Sequence, residues 1–177
     1  MIRSSFIALL IFSIFPFTAI AGDNAAAIKS AELAAPKDLA SKATIVDWNS
    51  KVLRKGTNGW VCFIDNPATP DKDPMCLDKT WMSWAEAFMS KTKPKYDSLG
   101  VGYMFQGEGP TSNAAPYVTT KTSDDDWVPG VPHVMVLAPN LADLKGFPTR
   151  WQDGGPWIMW KGTPYEHLMV PLESMKK

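Results

Sequence analysis

Only one stretch of the chain has the apolar spacing of a long amphipathic helix, and this limits the folds that the chain can adopt. From Trp81 to Met89 apolar side chains recur every three or four residues, which is the period of a helix. Asp78 stands at the expected N-cap position, and Pro94 prevents the helix from continuing. We predict that the aromatic face of this helix packs on a sheet; lining a ligand cleft is the alternative role.

The other apolar segments are short and are separated by turn residues, which is typical of β-strands. Turn signals at Asn49-Ser50 and Asn58-Gly59 predict that the first three strands run antiparallel. Residues 106–126 are predicted to form a long loop, and residues 140–146 a capped helical turn. Because helices and strands do not alternate regularly, the predicted fold class is α+β, a single domain with a mainly antiparallel sheet packed by one helix. Strands are predicted at residues 44–48, 51–54, 60–64, 101–105, 131–137, 156–161 and 165–172.

Residues 1–21 have the outline of a secretory signal peptide. Arg3 supplies a positive start, residues 6–17 form an apolar run, and residues 19–21 offer small side chains for cleavage. The apolar run is shorter than the roughly 20 residues that a helix needs to cross a bilayer. We therefore expect export to the bacterial periplasm or the medium, with no transmembrane segment after cleavage.

The rest of the chain divides into residues 22–43, an Ala-rich lead-in expected at the periphery, and residues 44–177, a single globular domain. Its charges cancel, since 18 Lys and Arg stand against 18 Asp and Glu, and 45% of the residues are hydrophobic. This composition argues against a disordered polyelectrolyte and against a nucleic-acid binder steered by net charge.

Cys62 and Cys76 are the only cysteines, and export would place them where thiols are oxidised. The segment between them contains three Pro and three Asp, which favours a closed surface loop. No C-x-x-C motif is present and the spacing fits no common zinc module. We therefore predict a structural disulfide between Cys62 and Cys76.

Both histidines of the chain stand two residues before a methionine, at His133 and Met135 and at His167 and Met169. In a strand, residues two apart face the same side. If the two strands are antiparallel neighbours, His133 lies opposite Met169 and Met135 lies opposite His167, which brings two imidazoles and two thioethers together. Such donors suit copper better than cations that prefer oxygen. A structural role in the core is the competing interpretation, because both segments are strongly apolar.

Two further kinds of site are compatible with the sequence. An enzyme would use His133 or His167 as a general base beside a carboxylate, for which Glu166 and the run at residues 124–126 are available. A glycan binder would expose an aromatic platform. On a regular strand Trp157 and Trp160 face opposite sides, so only one of them could join it. The candidate rings belong to Trp127, Trp151, Trp157, Trp160 and Tyr165.

Residues 58–62, 74–81, 132–135 and 154–169 together resemble a group of small exported bacterial proteins whose activity is not established. The resemblance extends over residues 44–170 and leaves the Ala-rich lead-in outside. It implies a bacterial exported protein with one domain, and it implies no catalytic residues.

These observations favour a periplasmic, non-enzymatic binding or accessory protein. Its partner is a small ligand or a metal ion of unknown identity, and the copper site at the four His and Met residues is the most specific form of this expectation. A hydrolase that uses a His and carboxylate pair and an aromatic glycan binder remain the alternatives.

Overall fold

The computed structural model describes residues 19–121 and 126–175 of the chain. The predicted signal peptide therefore lies almost entirely outside the described residues, as do Asp124 and Asp125 of the acidic run. Among the helices that are described, none has the length and apolar character needed to cross a membrane.

The described chain forms three α-helices and ten β-strands. The helices are α1 (Ala19–Glu32), α2 (Lys37–Ala40) and α3 (Lys79–Met89). The strands are β1 (Thr44–Val46), β2 (Val52–Arg54), β3 (Val61–Phe63), β4 (Met75–Leu77), β5 (Gly100–Met104), β6 (Thr111–Ser112), β7 (Trp127–Val128), β8 (His133–Leu137), β9 (Trp157–Met159) and β10 (His167–Pro171). Two short 3-10 helices lie at Leu141–Leu144 and Trp151–Asp153.

Eight of the strands form one sheet in the order β2-β1-β3-β4-β5-β8-β10-β9, and β6 pairs with β7 in a small second sheet. All neighbouring pairs except β1 with β3 are antiparallel. The predicted fold class is confirmed: the chain is a single α+β domain with a mainly antiparallel sheet and one disulfide.

The prediction that the first three strands are all antiparallel is wrong for β3, which runs parallel to β1. Strands β2 and β3 lie on opposite sides of β1 in the sheet. The chain that connects them therefore crosses the start of β1. At the crossing, a Cβ on Gly56 would lie 2.2 Å from the backbone of Ala43 and Thr44, so only glycine fits. Turn signals in the sequence do not reveal such a crossing.

The lead-in is not peripheral, contrary to expectation. Its alanines are buried against Ile45 and against the Cys62–Cys76 disulfide, on the sheet face opposite α3. Small side chains allow α1 and α2 to approach this face closely. Arg54 of β2 also forms an ion pair with Glu32 and donates to the carbonyl oxygens at the end of α2. The buried residues of the lead-in are Ala31, Ala34, Ala35, Ala40 and Ala43.

The predicted disulfide is present and joins directly opposed residues of β3 and β4. The Cα atoms of Cys62 and Cys76 are 4.0 Å apart, and both side chains are fully buried. The segment between them is a surface loop, as expected, in which the Asp73 carboxylate accepts hydrogen bonds from the Asn66 amide and the Thr69 hydroxyl.

Helix α3 packs on the other face of the sheet. Its N-cap Asp78 accepts a hydrogen bond from the Trp81 amide at 2.8 Å, and its second oxygen accepts one from the Val101 amide at 2.6 Å. One carboxylate thus caps the helix and ties it to β5. A Cβ on Gly102 would lie 2.9 Å from the methyl group of Met135 and 3.1 Å from a methyl group of Leu77, so a larger residue would displace these core side chains.

The predicted long loop contains β6, which pairs with β7 at Thr111 with Val128 and at Ser112 with Trp127. The Asn113 side chain then connects this loop to β9, because it donates to Asp126 and accepts from the Trp157 indole at 3.0 Å. The described part of the loop around Asn113 is thereby tied to β9.

Replacing both Cys62 and Cys76 with alanine is expected to lower the free energy of unfolding by about 3 kcal/mol, because the bridge closes a loop of about 15 residues in the unfolded chain. Chemical denaturation of wild type and variant measures the change. Reduced wild-type protein is the control, since it loses the bridge and keeps the sulfur atoms. Equal stability of the oxidised and reduced forms would contradict a stabilising bridge.

Candidate functional site

Strands β8 and β10 are antiparallel neighbours, as the copper hypothesis requires, and both His-x-Met segments lie on them. The two histidines and two methionines share the face of the sheet that α3 covers. All four side chains are 8% exposed or less, namely His133, Met135, His167 and Met169. The donors predicted from the sequence are therefore brought to one buried face.

The register differs from the predicted one by two residues. Met135 lies opposite Met169, and His133 lies opposite Pro171. Neither histidine is directly opposed to the methionine that the sequence analysis assigned to it. A shift of two residues leaves every side chain on its original face, so apolar periodicity predicts the face and leaves this register undetermined.

Two further methionines of this face were missed by the sequence analysis. Met104 of β5 lies directly opposite His133, and Met159 of β9 lies directly opposite His167. Both methionines are 3% exposed or less. Directly opposed residues in neighbouring antiparallel strands have Cβ atoms about 5 Å apart. The only sequence signal was that both residues belong to predicted strands, and the pairing order of those strands was unknown.

The six residues form three rows across the sheet. The central row is Met135 with Met169, and each outer row is a histidine with a methionine, His133 with Met104 and His167 with Met159. The pairing pattern is the same on both sides of the central row: β5 is to β8 as β9 is to β10.

The two imidazoles have the same tautomer. His133 Nδ1 donates to the Val131 carbonyl oxygen at 2.7 Å, and His167 Nδ1 donates to the Tyr165 carbonyl oxygen at 2.9 Å. A carbonyl oxygen only accepts, so the proton of each neutral ring is on Nδ1 and Nε2 keeps its lone pair. His133 Nε2 is buried and has no hydrogen-bond partner among the described residues.

Burial keeps both histidines neutral. It lowers the pKa of His133, and it lowers the pKa of His167 to about 4, because the apolar surroundings disfavour a charged imidazole. Electrostatic repulsion from His133 lowers the pKa of His167 further, while the Tyr165 carbonyl and Glu166 act in the opposite direction. At neutral pH both rings therefore have the uncharged form that binds a metal ion.

Indole rings surround His167 on several sides. Its ring centroid is 5.3 Å from Trp81, 5.6 Å from Trp84 and 5.1 Å from Trp160, and all three indoles stand nearly perpendicular to the imidazole. The indole N–H groups of Trp81 and Trp84 are buried without an acceptor among the described residues. A buried donor without a partner lowers the stability of the fold by about 1–3 kcal/mol, so both indoles are costly at these positions.

Trp160 has a left-handed backbone with a φ of 54°, which is a strained conformation for a bulky residue. Its indole donates to the Ser112 carbonyl oxygen at 2.7 Å, and its backbone N–H donates to Asn113. Because the chain turns here, Trp157 and Trp160 belong to the same core cluster. The expectation that they face opposite sides is wrong, since β9 ends at Met159.

Of the candidate carboxylates of the enzyme hypothesis, the structure describes Glu166 and Asp126, and neither of these two is hydrogen-bonded to His133 or His167. Both Nδ1 atoms bind carbonyl oxygens, and the Glu166 carboxylate accepts instead from Lys161 at 2.6 Å and from the Gly162 amide at 2.9 Å. Asp126 accepts from the Trp151 indole at 2.8 Å.

The proposed aromatic platform is also largely covered. Trp127 is partly buried, and the other four candidate rings are 9% exposed or less. They present little ring surface to a glycan. The four buried residues are Trp151, Trp157, Trp160 and Tyr165.

Within residues 19–121 and 126–175, no group of three or more His, Cys, Asp or Glu side chains could hold a metal ion. A metal on the α3-covered face would therefore depend on the two imidazoles and on thioether sulfur. No family model matches the chain, and neither a curated protein nor a solved structure is significantly similar to it. The resemblance to small exported bacterial proteins accordingly stays a prediction.

The contribution of neutral His167 to the stability of the metal-free protein is expected to be lost as the pH falls from about 6.5 towards 4. The unfolded chain takes up protons near the ordinary histidine pKa of about 6.5, whereas folded His167 stays neutral until about pH 4, so acid favours unfolding. The loss from His167 amounts to roughly 3 kcal/mol. Denaturation curves measured across this range test it.

The control is His167→Phe, which keeps a ring in place and removes the titrating group. Its stability should fall less over the same pH range than that of the wild type. Parallel pH profiles for the two proteins would show that His167 does not titrate as its burial implies.

Proposed function

We propose that this protein is an exported, non-enzymatic binding or accessory protein that holds copper in its monovalent form, Cu(I), on the sheet face beneath α3. The donors are the imidazoles of His133 and His167 and the thioethers of Met135 and Met169. The observation that carries this proposal is the shared burial of uncharged imidazole and thioether donors on adjacent antiparallel strands.

The kind of donor favours copper. Thioether sulfur is a soft ligand that selects Cu(I), and imidazole is compatible with it. Calcium and magnesium prefer oxygen ligands. Glu166 precedes His167 in the sequence, but its carboxylate already accepts hydrogen bonds from Lys161 and from the Gly162 amide.

The low polarity of this face favours a single positive charge. The cost of transferring an ion from water into an apolar interior rises steeply with its charge, and this face has no anionic side chain among the residues that the structure describes to offset it. The indole rings of Trp81, Trp84 and Trp160 lie close to His167, and an aromatic ring attracts a cation placed over its face. Cu(I) and Ag(I) meet these conditions, and Cu(II) and Zn(II) do not.

The unpartnered His133 Nε2 supports the same function. A buried acceptor without a partner destabilises the metal-free fold, and a metal ion bonded to that nitrogen would satisfy it. Loading of the buried donors would require α3 to separate from the sheet or the ion to bind during folding. The bound ion would then stabilise the folded state.

Export is part of the proposal. It is supported by the signal-like pattern of residues 1–21 and by the Cys62–Cys76 disulfide, since such bridges persist in oxidising compartments. The mature chain would begin after Ala21. The intact mass of the protein recovered from the periplasm measures where cleavage occurs.

Mature protein folded with Cu(I) or Ag(I) is expected to bind either ion and to unfold at a higher temperature than the metal-free form. Equilibrium dialysis with metal analysis measures the bound ion, and calorimetry measures the unfolding temperature. Replacing His133 and His167 together with alanine should abolish binding. Zn(II) should neither be retained nor raise the unfolding temperature.

A second variant separates ligand loss from misfolding. The double change Met135→Leu and Met169→Leu conserves side-chain volume and removes both thioethers, so the fold should survive while binding weakens at least tenfold. Met89→Leu is the matched control, because Met89 is 79% exposed and is not part of the core cluster that contains these donors. Wild-type protein that retains neither Cu(I) nor Ag(I) would overturn the proposed function.

A further inference from the structure

The number of ions on this face follows from the spacing of the two histidines. His133 lies opposite Pro171, which is four residues from His167 on β10. A strand rises about 3.3 Å per residue, so the Cα atoms of the two histidines are separated by about 13 Å along the strands. The Met135 and Met169 row lies between them. The face is therefore divided into two ends, each with one imidazole.

Each end has its own methionine in direct opposition to the histidine. Met104 is the cross-strand partner of His133, and Met159 is the cross-strand partner of His167. The central pair adds sulfur to both ends, because Met169 is diagonal to His133 and Met135 is diagonal to His167. Diagonal neighbours on one face are still within reach of long side chains.

We infer that this face holds two Cu(I) ions, one at the His133 and Met104 end and one at the His167 and Met159 end, with Met135 and Met169 shared between them. This inference rests on the proposed function and assigns Met104 and Met159 as additional ligands. Binding changes no oxidation state, because the ion enters and stays as Cu(I). Each imidazole contributes Nε2, so no proton has to leave the neutral ring.

Independent observations at each end support this assignment. At the first end, His133 Nε2 is buried without a partner, although the residue is only 2% exposed. At the second end, three indole rings lie within 5.1–5.6 Å of His167. At both ends the histidine Nδ1 donates to the carbonyl oxygen of the residue two positions earlier in the chain.

The experiment is a titration of metal-free mature protein with Cu(I) in competition with a chromophoric chelator. Wild type is expected to take up two ions per chain. Met104→Leu and His133→Phe should each leave one ion, and so should Met159→Leu and His167→Phe at the other end. Met89→Leu, the exposed control, should keep both ions. Near-ultraviolet circular dichroism shows whether each variant is folded.

A second measurement needs no substitution. In protein labelled at the methionine methyl carbons, addition of Ag(I) should shift the resonances of Met104, Met135, Met159 and Met169 and leave that of Met89 unchanged. Uptake of one ion with shifts confined to Met135 and Met169 would overturn the two-ion inference and leave the proposed function intact. Wild-type protein that takes up no ion would overturn both.

Discussion

The pairing of β8 with β10 in the register that opposes Met135 to Met169 is the constraint on which the rest of the structure depends. Strands β5 and β9 extend this pairing on either side and bring one more methionine to each histidine. A slip of one residue would turn all of these donors to the opposite face. Helix α3 packs on the face that the register creates, and Asp78 fixes the helix to β5 through the Val101 amide.

This face keeps several features that cost stability. His133 Nε2 and the Trp84 indole N–H are buried without partners among the described residues, and Trp160 has a strained backbone. An interior selected for stability alone would avoid these groups, because each of them lowers the free energy of unfolding. Departures of this kind concentrate at functional sites. Their position around His133 and His167 agrees with the proposal that a ligand occupies this face.

The elements with a strong local signal were predictable from the sequence. The helix between Asp78 and Met89 is specified by its apolar spacing and cap, and the Cys62–Cys76 bridge by the number of cysteines. The antiparallel pairing of β8 with β10 was a condition of the copper hypothesis, and the structure shows that this condition is met. The helix depends on residues that are close in sequence. The disulfide depends on the two cysteines of the chain, which can pair only with each other.

The remaining features depend on contacts that local patterns do not encode. The alternation of apolar residues along β8 predicts which face of the sheet His133 and Met135 share. It does not determine the register of β8 against β10, because a shift of two residues keeps the same face. The parallel pairing of β3 depends on a crossing that requires Gly56, and the burial of Ala31 depends on how closely α1 approaches the disulfide. The roles of Met104 and Met159 required the strand order, which the sequence did not provide.

The X-ray absorption spectrum of protein loaded with Cu(I) tests the central claim most directly, because it identifies the atoms bonded to the metal. The account predicts a coordination shell that contains both imidazole nitrogen and thioether sulfur. A shell of nitrogen and oxygen alone would contradict the account, since it would place the metal away from the methionines beneath α3.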